Sequence, residues 1–411
     1  MGADVVSRSL EGPGGTVPSA DRQTGGVRAY LDHAATTPML PEAVEAMLPY
    51  LAGTFGNPSG GHAESRRART AVDDAREEVA DLVGADLGEV VFTGSGTEAD
   101  NLAVTGTLVA GRPGGGGLPG PVVCSAMEHH AVLHACRAAA RHLGAELREV
   151  PTGPDGLIDL DALAVACTPD VSLVSVMAVN NELGTVQPFE AVARLVRRRS
   201  PGAVLHTDAV QAAPWLDLAP VVAAVDLTVL SAHKFGGPKG VGILVVRDGV
   251  RLEPVTHGGG QERDRRSGTH NVAGIVATAT ALSVTVSRRP EVGRRVAALR
   301  HRLADGLVDT VPGLVPTVGR SETVPGILHC TVDGVDGEEL VILLDEAGVS
   351  ASAGAACSSG ALEPSHVLAS MGLGADRARH GLRLSLGSTT TVADVDRALE
   401  VVPPVVAGLR H

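Results

Sequence analysis

Residues 231–240 read Ser231-Ala232-His233-Lys234-Phe235-Gly236-Gly237-Pro238-Lys239-Gly240, and they contain both lysines of the chain. The other 32 of the 34 Lys and Arg residues are arginine. A lysine amine can lose its proton and form a Schiff base with a carbonyl compound, whereas an arginine guanidinium stays charged. The largely apolar run at 225–230 predicts a buried strand that ends just before Lys234. We therefore predict that Lys234 anchors a cofactor covalently, while amino-acid bias explains Lys239.

The overall composition limits the class of protein. A chain of 411 residues is long enough for two domains. Because aromatic residues make up 2% of the sequence, the core must be aliphatic. A net charge of −13 argues against nucleic acid or an anionic membrane as the main partner. No apolar run approaches the roughly 18 residues that a membrane-spanning helix needs.

The cysteines and the N-terminal residues indicate the compartment. The five cysteines form neither a Cys-x-x-Cys pair nor an even disulfide framework, which fits a reducing, cytoplasmic location. They are Cys124, Cys136, Cys167, Cys330 and Cys357. Residues 1–28 lack the apolar segment of a signal peptide and are rich in Gly, Ser, Pro and Arg. We interpret them as a disordered extension.

Strand and helix patterns alternate through most of the chain, which predicts an α/β fold with a mostly parallel sheet covered on both faces. The expected helices are 63–83, 97–109, 130–143 and 189–199, and the expected strands are 89–93, 122–124, 171–179, 203–206 and 227–230. Residues 242–246 are expected to form an antiparallel edge strand. From about 284 a long Arg-rich helix and shorter mixed elements follow. We predict a large domain at 41–283 and a smaller domain formed by 29–40 and 284–411.

Polar residues follow several of the predicted strands, at the edge of a parallel sheet where ligands bind. In Thr93-Gly94-Ser95-Gly96-Thr97-Glu98, glycines would let backbone N–H groups approach a phosphate at a helix N-terminus. The same sequence also suits an ordinary tight turn with a capped helix. In His206-Thr207-Asp208-Ala209-Val210-Gln211, Asp208 could pair with a protonated pyridine nitrogen, and Gln211 could reach a ring oxygen. Taken alone, Asp208 is better explained as the cap of a following helix.

Histidines follow another predicted strand. His129 could stack on a flat cofactor ring and move protons beside it. His130 and His134 have the i, i+4 spacing of metal ligands on a helix, but no third ligand presents itself. We therefore interpret these two as surface histidines and predict no metal site.

Taken together, this constellation resembles the fold type I enzymes that use pyridoxal 5′-phosphate, and more closely the cysteine desulfurases of the class V aminotransferase group. The resemblance extends from about Tyr30 to about Val402. The stretches that carry it are Leu31-Asp32-His33-Ala34-Ala35-Thr36-Thr37, Phe55-Gly56-Asn57-Pro58-Ser59, Glu128-His129-His130-Ala131-Val132, Val179-Asn180-Asn181-Glu182-Leu183-Gly184, the two segments around Asp208 and Lys234, Gly258-Gly259-Gly260-Gln261-Glu262 and Arg266-Ser267-Gly268-Thr269.

The resemblance implies a role for each candidate residue. Lys234 holds pyridoxal phosphate, Asp208 pairs with its pyridine nitrogen, Gln211 bonds the ring oxygen and His129 stacks on the ring. The phosphate group lies at Gly96, Thr97, Ser231 and His233, with Thr269 supplied by the partner subunit of a homodimer. The substrate is received by Asn57, Asn181 and Arg383, whose guanidinium suits an α-carboxylate.

Cys357 lies in a run of Gly, Ala and Ser between Val349 and Pro364, a segment without large side chains to fix it in a core. The run resembles the long catalytic loop of cysteine desulfurases, which implies that Cys357 attacks the sulfur of bound substrate. L-Cysteine would then become L-alanine, and a persulfide on Cys357 would pass to an acceptor protein. The other four cysteines are interpreted as structural.

Two enzymatic alternatives remain open at this stage: another class V aminotransferase reaction, and selenocysteine lyase. A catalytically silent scaffold that binds a sulfur-carrier protein is a third. The chain departs from the family at Ser388-Thr389-Thr390, where relatives often have an arginine and an aromatic residue. The sulfur could be destined for iron–sulfur cluster assembly, for thiolated tRNA or DNA, or for natural products.

Overall fold

A computed structural model describes residues 28–111, 118–353, 365–374 and 376–410. Among these residues the α-helices are α1 (Pro41–Leu51), α2 (Ala63–Val83), α3 (Gly96–Ala110), α4 (His130–Leu143), α5 (Leu160–Ala166), α6 (Phe189–Arg199), α7 (Ala219–Ala224), α8 (Val272–Thr310), α9 (Gly337–Glu346), α10 (His366–Ser370) and α11 (Val392–Leu409). None of these described helices combines the length and the apolar character needed to cross a membrane.

The strands of the described residues form three sheets. They are β1 (Ala29–Tyr30), β2 (Val90–Thr93), β3 (Val122–Ser125), β4 (Leu147–Val150), β5 (Leu173–Ser175), β6 (Val204–Asp208), β7 (Leu227–Ser231), β8 (Gly242–Val246), β9 (Leu314–Pro316), β10 (Ile327–Val332), β11 (Val349–Ser350) and β12 (Gly381–Ser385). The central sheet has the order β2-β8-β7-β6-β5-β3-β4, and all its strands are parallel except β8. The predicted α/β fold with a mostly parallel sheet is confirmed.

Strand β8 corrects one expectation. Its antiparallel direction was predicted, but β8 is not at the edge: it pairs with β2 on one side and β7 on the other. Ile243 and Val245 pack with α2 and α8 on one face, while Leu244 and Val246 pack with α3 on the other. Because an interior strand is buried on both faces, its sequence is continuously apolar, and this pattern gives no information about which strands lie beside it. The expected strand at 171–179 is also shorter, since β5 ends at Ser175.

Two smaller sheets lie outside the central one. Strand β1 pairs in parallel with β11, and β10 pairs antiparallel with both β9 and β12. A separate hydrophobic cluster fills this part, including Leu31 from the N-terminal segment and Leu303 from the second half of α8. The N-terminal segment therefore packs with elements formed by about the last hundred residues of the chain.

Helix α8 connects the two cores. It begins at Val272 rather than near 284, where the Asn271 side chain caps it by accepting from the Gly274 amide at 3.0 Å. Its first half packs with the central sheet, and its second half packs in the other cluster. The β-branched residues that fill its first turns weaken the helical pattern, so tertiary packing decides its start. The predicted domain boundary falls inside this continuous helix, and we keep the two domains as a proposal.

Helix α2 has the predicted bounds, 63–83, and Gly84 ends it with a left-handed φ of 70°. Residues 1–27 of the predicted N-terminal extension lie outside the described residues. Arg28, the last residue of that extension, is described and forms an ion pair with Asp345.

Candidate active site

A cavity of about 470 Å³ lies beyond the carboxyl ends of β2, β3, β6 and β7. It is formed where the parallel strands end and the chain turns into helices or loops, which is the usual ligand position in such sheets. The predicted residues that line it are Gly96, Thr97, His129, Asn181, Asp208, Gln211, Ser231, His233 and Lys234.

Lys234 ends a single 3₁₀ turn, Ala232–Lys234, that directly follows β7. The side chain is half-buried, and its Nζ donates to the carbonyl oxygens of Ala34 at 2.5 Å and Ala35 at 2.9 Å. The N-terminal segment thus lies across the lysine, and its backbone fixes where the amine is placed in the cavity wall.

Asp208 ends β6 and is 5% exposed. Burial raises the pKa of its carboxyl to about 6, although a backbone hydrogen bond from the Val210 amide and the positive charge of Lys234 act the other way. No helix begins here: residues 210–215 form turns, so the carboxylate caps a turn and not a helix. Gln211 lies in that turn and donates from Nε2 to the carbonyl of Ala34 at 2.6 Å. Lys234 and Gln211 therefore share one backbone acceptor.

The N-terminus of α3 opens into the cavity at Gly96 and Thr97. Ser95 caps the helix by accepting from the Glu98 amide at 3.0 Å. Glu98 in turn accepts from the Gly94 amide and pairs with Arg266 at 2.7 Å. The sequence allowed two interpretations of this turn, a capped helix and a phosphate-binding site. They are compatible, since a capped N-terminus still presents N–H groups and the positive end of the helix dipole.

His129 caps α4, because its Nδ1 accepts from the Ala131 amide at 3.1 Å. Burial, then the positive charge of Lys234, lower the pKa of His129 to about 4. The ring is therefore neutral near pH 7, and with Nδ1 acting as acceptor its proton lies on Nε2.

His130 is stacked between two other imidazoles, His134 at 4.8 Å and His366 at 4.6 Å between ring centroids. His134 is exposed, as expected of a surface histidine, but His130 is half-buried against α10. Within the described ranges no group of three His, Cys, Asp or Glu side chains is arranged to hold a metal ion.

Arg383 lies on β12 and is 2% exposed. Its Nη2 pairs with Asp32 Oδ1 at 2.7 Å and its Nη1 donates to the carbonyl of Asn181 at 2.9 Å. Arg383 does not itself line the cavity, but it contacts Asn181, which does. Asp32 belongs to a motif that sequence analysis had noted without assigning it a role.

Besides Arg383, three further predicted residues are not among those that line this cavity. Asn57 and Thr269 are exposed and do not line it, and Cys357 lies outside the described residues with the whole segment 354–364. The other four cysteines are buried and unbridged. Burial raises the pKa of Cys330 to about 12, and that of Cys124 is raised by a hydrogen bond with Cys136 and by burial. A thiol with a raised pKa is a poor nucleophile.

A family model described as "Aminotransferase class-V" matches residues 29–398. This chain belongs to the class V aminotransferase family. The match leaves out only the two ends of the chain, and it agrees with the resemblance found in the sequence, which is thereby confirmed.

Individual members of the family are similar to this chain over most of its length. An "IscS-like cysteine desulfurase" of Mycobacterium tuberculosis is 44% identical over 93% of this chain and 97% of the relative. A solved "NifS-like protein" superposes with a TM-score of 0.86 at 32% identity, covering 93% of this chain and 100% of that one. A second solved structure, "SspA in complex with cysteine", gives a TM-score of 0.77 at 31% identity, covering 88% and 100%.

Class V aminotransferases use pyridoxal phosphate, and the residues present fit that group. A Cβ added to Gly96 would lie 3.1 Å from Ser231 Cβ and 3.3 Å from Val210, so glycine keeps open the space between the α3 N-terminus and β7. The buried carboxylate of Asp208 calls for a cation, which a protonated ring nitrogen supplies. The cavity volume is in the range of cofactor sites.

Several residues of the site were missed by sequence reasoning. Asp100 lines the cavity, and Lys239 lies there too, although composition alone had explained it. Asp100 is three residues after Thr97 on α3, so helical spacing could have placed both on one face. The role of the Ala34 and Ala35 carbonyls has no sequence signal, because a backbone acceptor is independent of residue type.

Proposed function

We propose that this chain is a pyridoxal-phosphate-dependent cysteine desulfurase. It converts L-cysteine to L-alanine, with Cys357 receiving the sulfur as a persulfide and passing it to an acceptor protein. The observation that carries the proposal is one cavity that contains the Lys234 amine, the buried Asp208 carboxylate and the N-terminus of α3. Relatives named cysteine desulfurases, and a related structure that holds cysteine, support this choice within the family.

Bound pyridoxal phosphate supplies an electron sink that the side chains of the protein lack. Lys234 would hold the group, Asp208 would balance the charge of its ring nitrogen, and Gln211 would bond its ring oxygen. The phosphate would lie on the α3 N-terminus and on side chains from β7 and its turn. The residues proposed for it are Gly96, Thr97, Ser231 and His233.

Arg383 and Asn181 would bind the α-carboxylate of L-cysteine, with Asp32 fixing the guanidinium. His129 would stack on the cofactor ring and donate a hydrogen bond from Nε2–H into the cavity, since Nδ1 is engaged by the Ala131 amide. The Cys357 thiolate would form a new S–S bond while the substrate C–S bond breaks. The electron pair of that bond would return to the substrate carbon, which takes up a proton to give alanine.

The exposed positions of Thr269 and Asn57 support a homodimer. Since neither lines the cavity of its own chain, Thr269 could reach a phosphate only in the site of a second copy. We propose the same origin for the contact of Asn57 with substrate. The four buried, unbridged cysteines of the described residues support the proposed cytoplasmic location.

Replacing Lys234 by Ala tests the covalent anchor. We expect the variant to lose the long-wavelength absorbance of the covalently attached cofactor and to release pyridoxal phosphate on gel filtration. Lys239→Ala is the matched control, because it removes the one other lysine and should keep the covalent attachment. Covalent cofactor in Lys234→Ala would refute the assignment.

Replacing Cys357 by Ser tests the sulfur transfer. Under single-turnover conditions with L-cysteine, we expect this holoenzyme variant to lose alanine formation by at least about a hundredfold, since a hydroxyl cannot act as the thiolate does. Cys167→Ala, a change at a buried cysteine, serves as control. Undiminished alanine and sulfide formation would contradict the role of Cys357, and a faster reaction with selenocysteine or an amino acceptor would favour another class V activity.

A further inference from the structure

Two buried polar side chains next to Asp208 have no role in the proposed reaction. Asp100, on α3, is 1% exposed and lines the cofactor cavity, and His206, on β6, is 0% exposed. Strand side chains alternate between faces, so His206 and Asp208 project from the same face of β6. Helix α3 packs against β6 and places Asp100 beside them.

The two side chains form the end of a short polar chain. His206 Nδ1 lies 2.8 Å from Ser175 Oγ, and its Nε2 lies 3.4 Å from Asp100 Oδ1. Neither Nε2 nor Oδ1 meets another hydrogen-bond partner among the residues that the structure describes. The separation slightly exceeds an ordinary hydrogen bond, so a small ring rotation would close it. These two atoms are complementary only if one of them carries a proton.

The surroundings decide which atom carries it. Burial, then electrostatic repulsion from the nearby carboxyl groups of Asp208 and Glu128, raise the pKa of Asp100 well above its usual range. Burial lowers the pKa of His206 to about 3. An imidazolium is therefore excluded near neutral pH, and two neighbouring buried carboxylates cannot both be ionised at moderate cost. The proton belongs on Asp100, whose O–H donates to His206 Nε2, while Nδ1–H donates to Ser175 Oγ.

We propose that Asp100 and His206 form a buried pair that holds one proton on the Asp100 carboxyl, which leaves Asp208, and not Asp100, as the anion beneath the cofactor ring. Both are positioning residues: they act on the ring nitrogen through Asp208. This inference rests on the proposed contact of Asp208 with that nitrogen. An ionised Asp100 would instead place a second negative charge on the cavity wall.

Infrared spectroscopy of the holoenzyme tests the protonation state directly. The difference spectrum between the wild type and Asp100→Asn at pH 7, with ¹³C-aspartate labelling for assignment, should show loss of a protonated carboxyl C=O band. Loss of a carboxylate band instead would overturn the proposal. Asn keeps the size of Asp and can donate to His206 Nε2 from its amide, so this variant is expected to fold.

A pH titration of the cofactor absorbance tests the electrostatic consequence. Exchange of a neutral acid for a neutral amide should move the midpoint of Asp100→Asn by no more than about 0.3 unit, whereas removing a charge would move it by about one unit or more. A shift of the larger size would overturn the proposal.

Asp100→Ala removes the donor and leaves His206 Nε2 buried and unpaired. We expect the dissociation constant for pyridoxal phosphate to rise about tenfold in this variant and to return within about twofold of wild type in Asp100→Asn. Equal weakening in both variants would contradict the neutral pair.

Asp208→Asn separates the neutral pair from the proposed contact of Asp208 with the ring nitrogen. If this variant leaves the titration midpoint and the affinity for pyridoxal phosphate unchanged, the proposed contact of Asp208 is wrong. The infrared result for Asp100 does not depend on that contact.

Discussion

At the scale of single residues, two acceptors of the protein hold the guanidinium of Arg383 in place. Asp32 accepts from Nη2 and the carbonyl of Asn181 accepts from Nη1, both inside a region from which water is largely excluded. A charge-assisted hydrogen bond in such a place is stronger than one at the surface. Asp32 would therefore determine which N–H groups of Arg383 face the carboxylate of the proposed substrate.

Asp32→Asn is expected to raise the KM for L-cysteine about tenfold with a smaller change in kcat, because it weakens the placement of Arg383 and not the bond-breaking step. Steady-state alanine formation measures both constants. Asp396→Asn is the control, since it removes a carboxylate paired with Arg302 at an exposed site. An unchanged KM would show that Arg383 is held without Asp32.

The side-chain contacts of Glu262 favour its ionised form. It accepts two hydrogen bonds from Arg76 and one from His270, each at 2.7 Å, and one from the Phe92 amide at 2.9 Å. Burial raises the pKa of Glu262, but these hydrogen bonds outweigh it and bring the value to about 2. The residue also begins a run of three left-handed φ angles of 50°, 56° and 62°, a strained turn that its contacts stabilise.

Because the folded-state pKa of Glu262 lies below its unfolded value, its contribution to stability is present above about pH 4.5 and is lost as the pH falls toward 2. Glu262→Gln should therefore lower the free energy of unfolding by about 3 kcal/mol at pH 7 and by much less near pH 3. Urea denaturation at both pH values measures this. Glu190→Gln, at an exposed pair with Arg194, should cost less than about 0.5 kcal/mol throughout. A pH-independent loss in Glu262→Gln would contradict the charged contact.

At the scale of elements, the sequence predicted best those segments whose own residues decide their structure. Helix α2 has a clear amphipathic pattern and a glycine stop, and its bounds were predicted as found. The start of α8 and the extent of β5 were missed, because β-branched residues suit either structure and packing chooses between them. The neighbours of β8 were missed for a different reason: pairing partners far apart in sequence leave no local signal.

The N-terminus of α3 combines a structural cap with the proposed phosphate seat. Ser95→Ala removes the hydrogen bond to the Glu98 amide, and we expect it to cost about 1 kcal/mol of stability and to weaken pyridoxal phosphate binding. Ser95→Asn retains a cap and should restore both properties. Thr391→Ala, at the cap of α11, should lose similar stability without loss of cofactor affinity. Equal affinities for pyridoxal phosphate in Ser95→Ala and Thr391→Ala would show that the N-terminus of α3 does not bind the cofactor.

At the scale of the whole molecule, the candidate site was predicted to the extent that it depends on strand ends. Asp208 ends β6, Lys234 follows the adjacent strand β7, and His129 follows β3, which β5 separates from β6. Because these strands are parallel, their carboxyl ends bring the three residues to the same edge of the sheet. Asn57 and Thr269 were predicted from resemblance alone, and their exposure is compatible with the proposed homodimer. Asp100 was missed although it follows Thr97 by three residues on α3, because that spacing gives the face of the helix but not the burial of the acid.

The single tryptophan, Trp215, packs against both hydrophobic cores, so its fluorescence reports on each of them. Leu282→Ala in the first core and Leu303→Ala in the second are each expected to cost about 2–5 kcal/mol. Because α8 runs through both cores, we expect one tryptophan transition in urea that shifts in both variants. Two separate transitions, or a shift in one variant alone, would show that the cores unfold independently.

The N-terminal segment can adopt its native contacts only after the C-terminal part of the chain has been synthesised. The Ala34 amide donates to Ser385 Oγ, a partner synthesised 351 residues later, and β1 waits similarly for β11. The carbonyls that place the Lys234 amine are therefore not seated until nearly the whole chain has left the ribosome. A nascent chain that stalls before β12 contains Lys234 but lacks the contacts that hold these carbonyls, so we expect the cofactor to be loaded after synthesis of the chain.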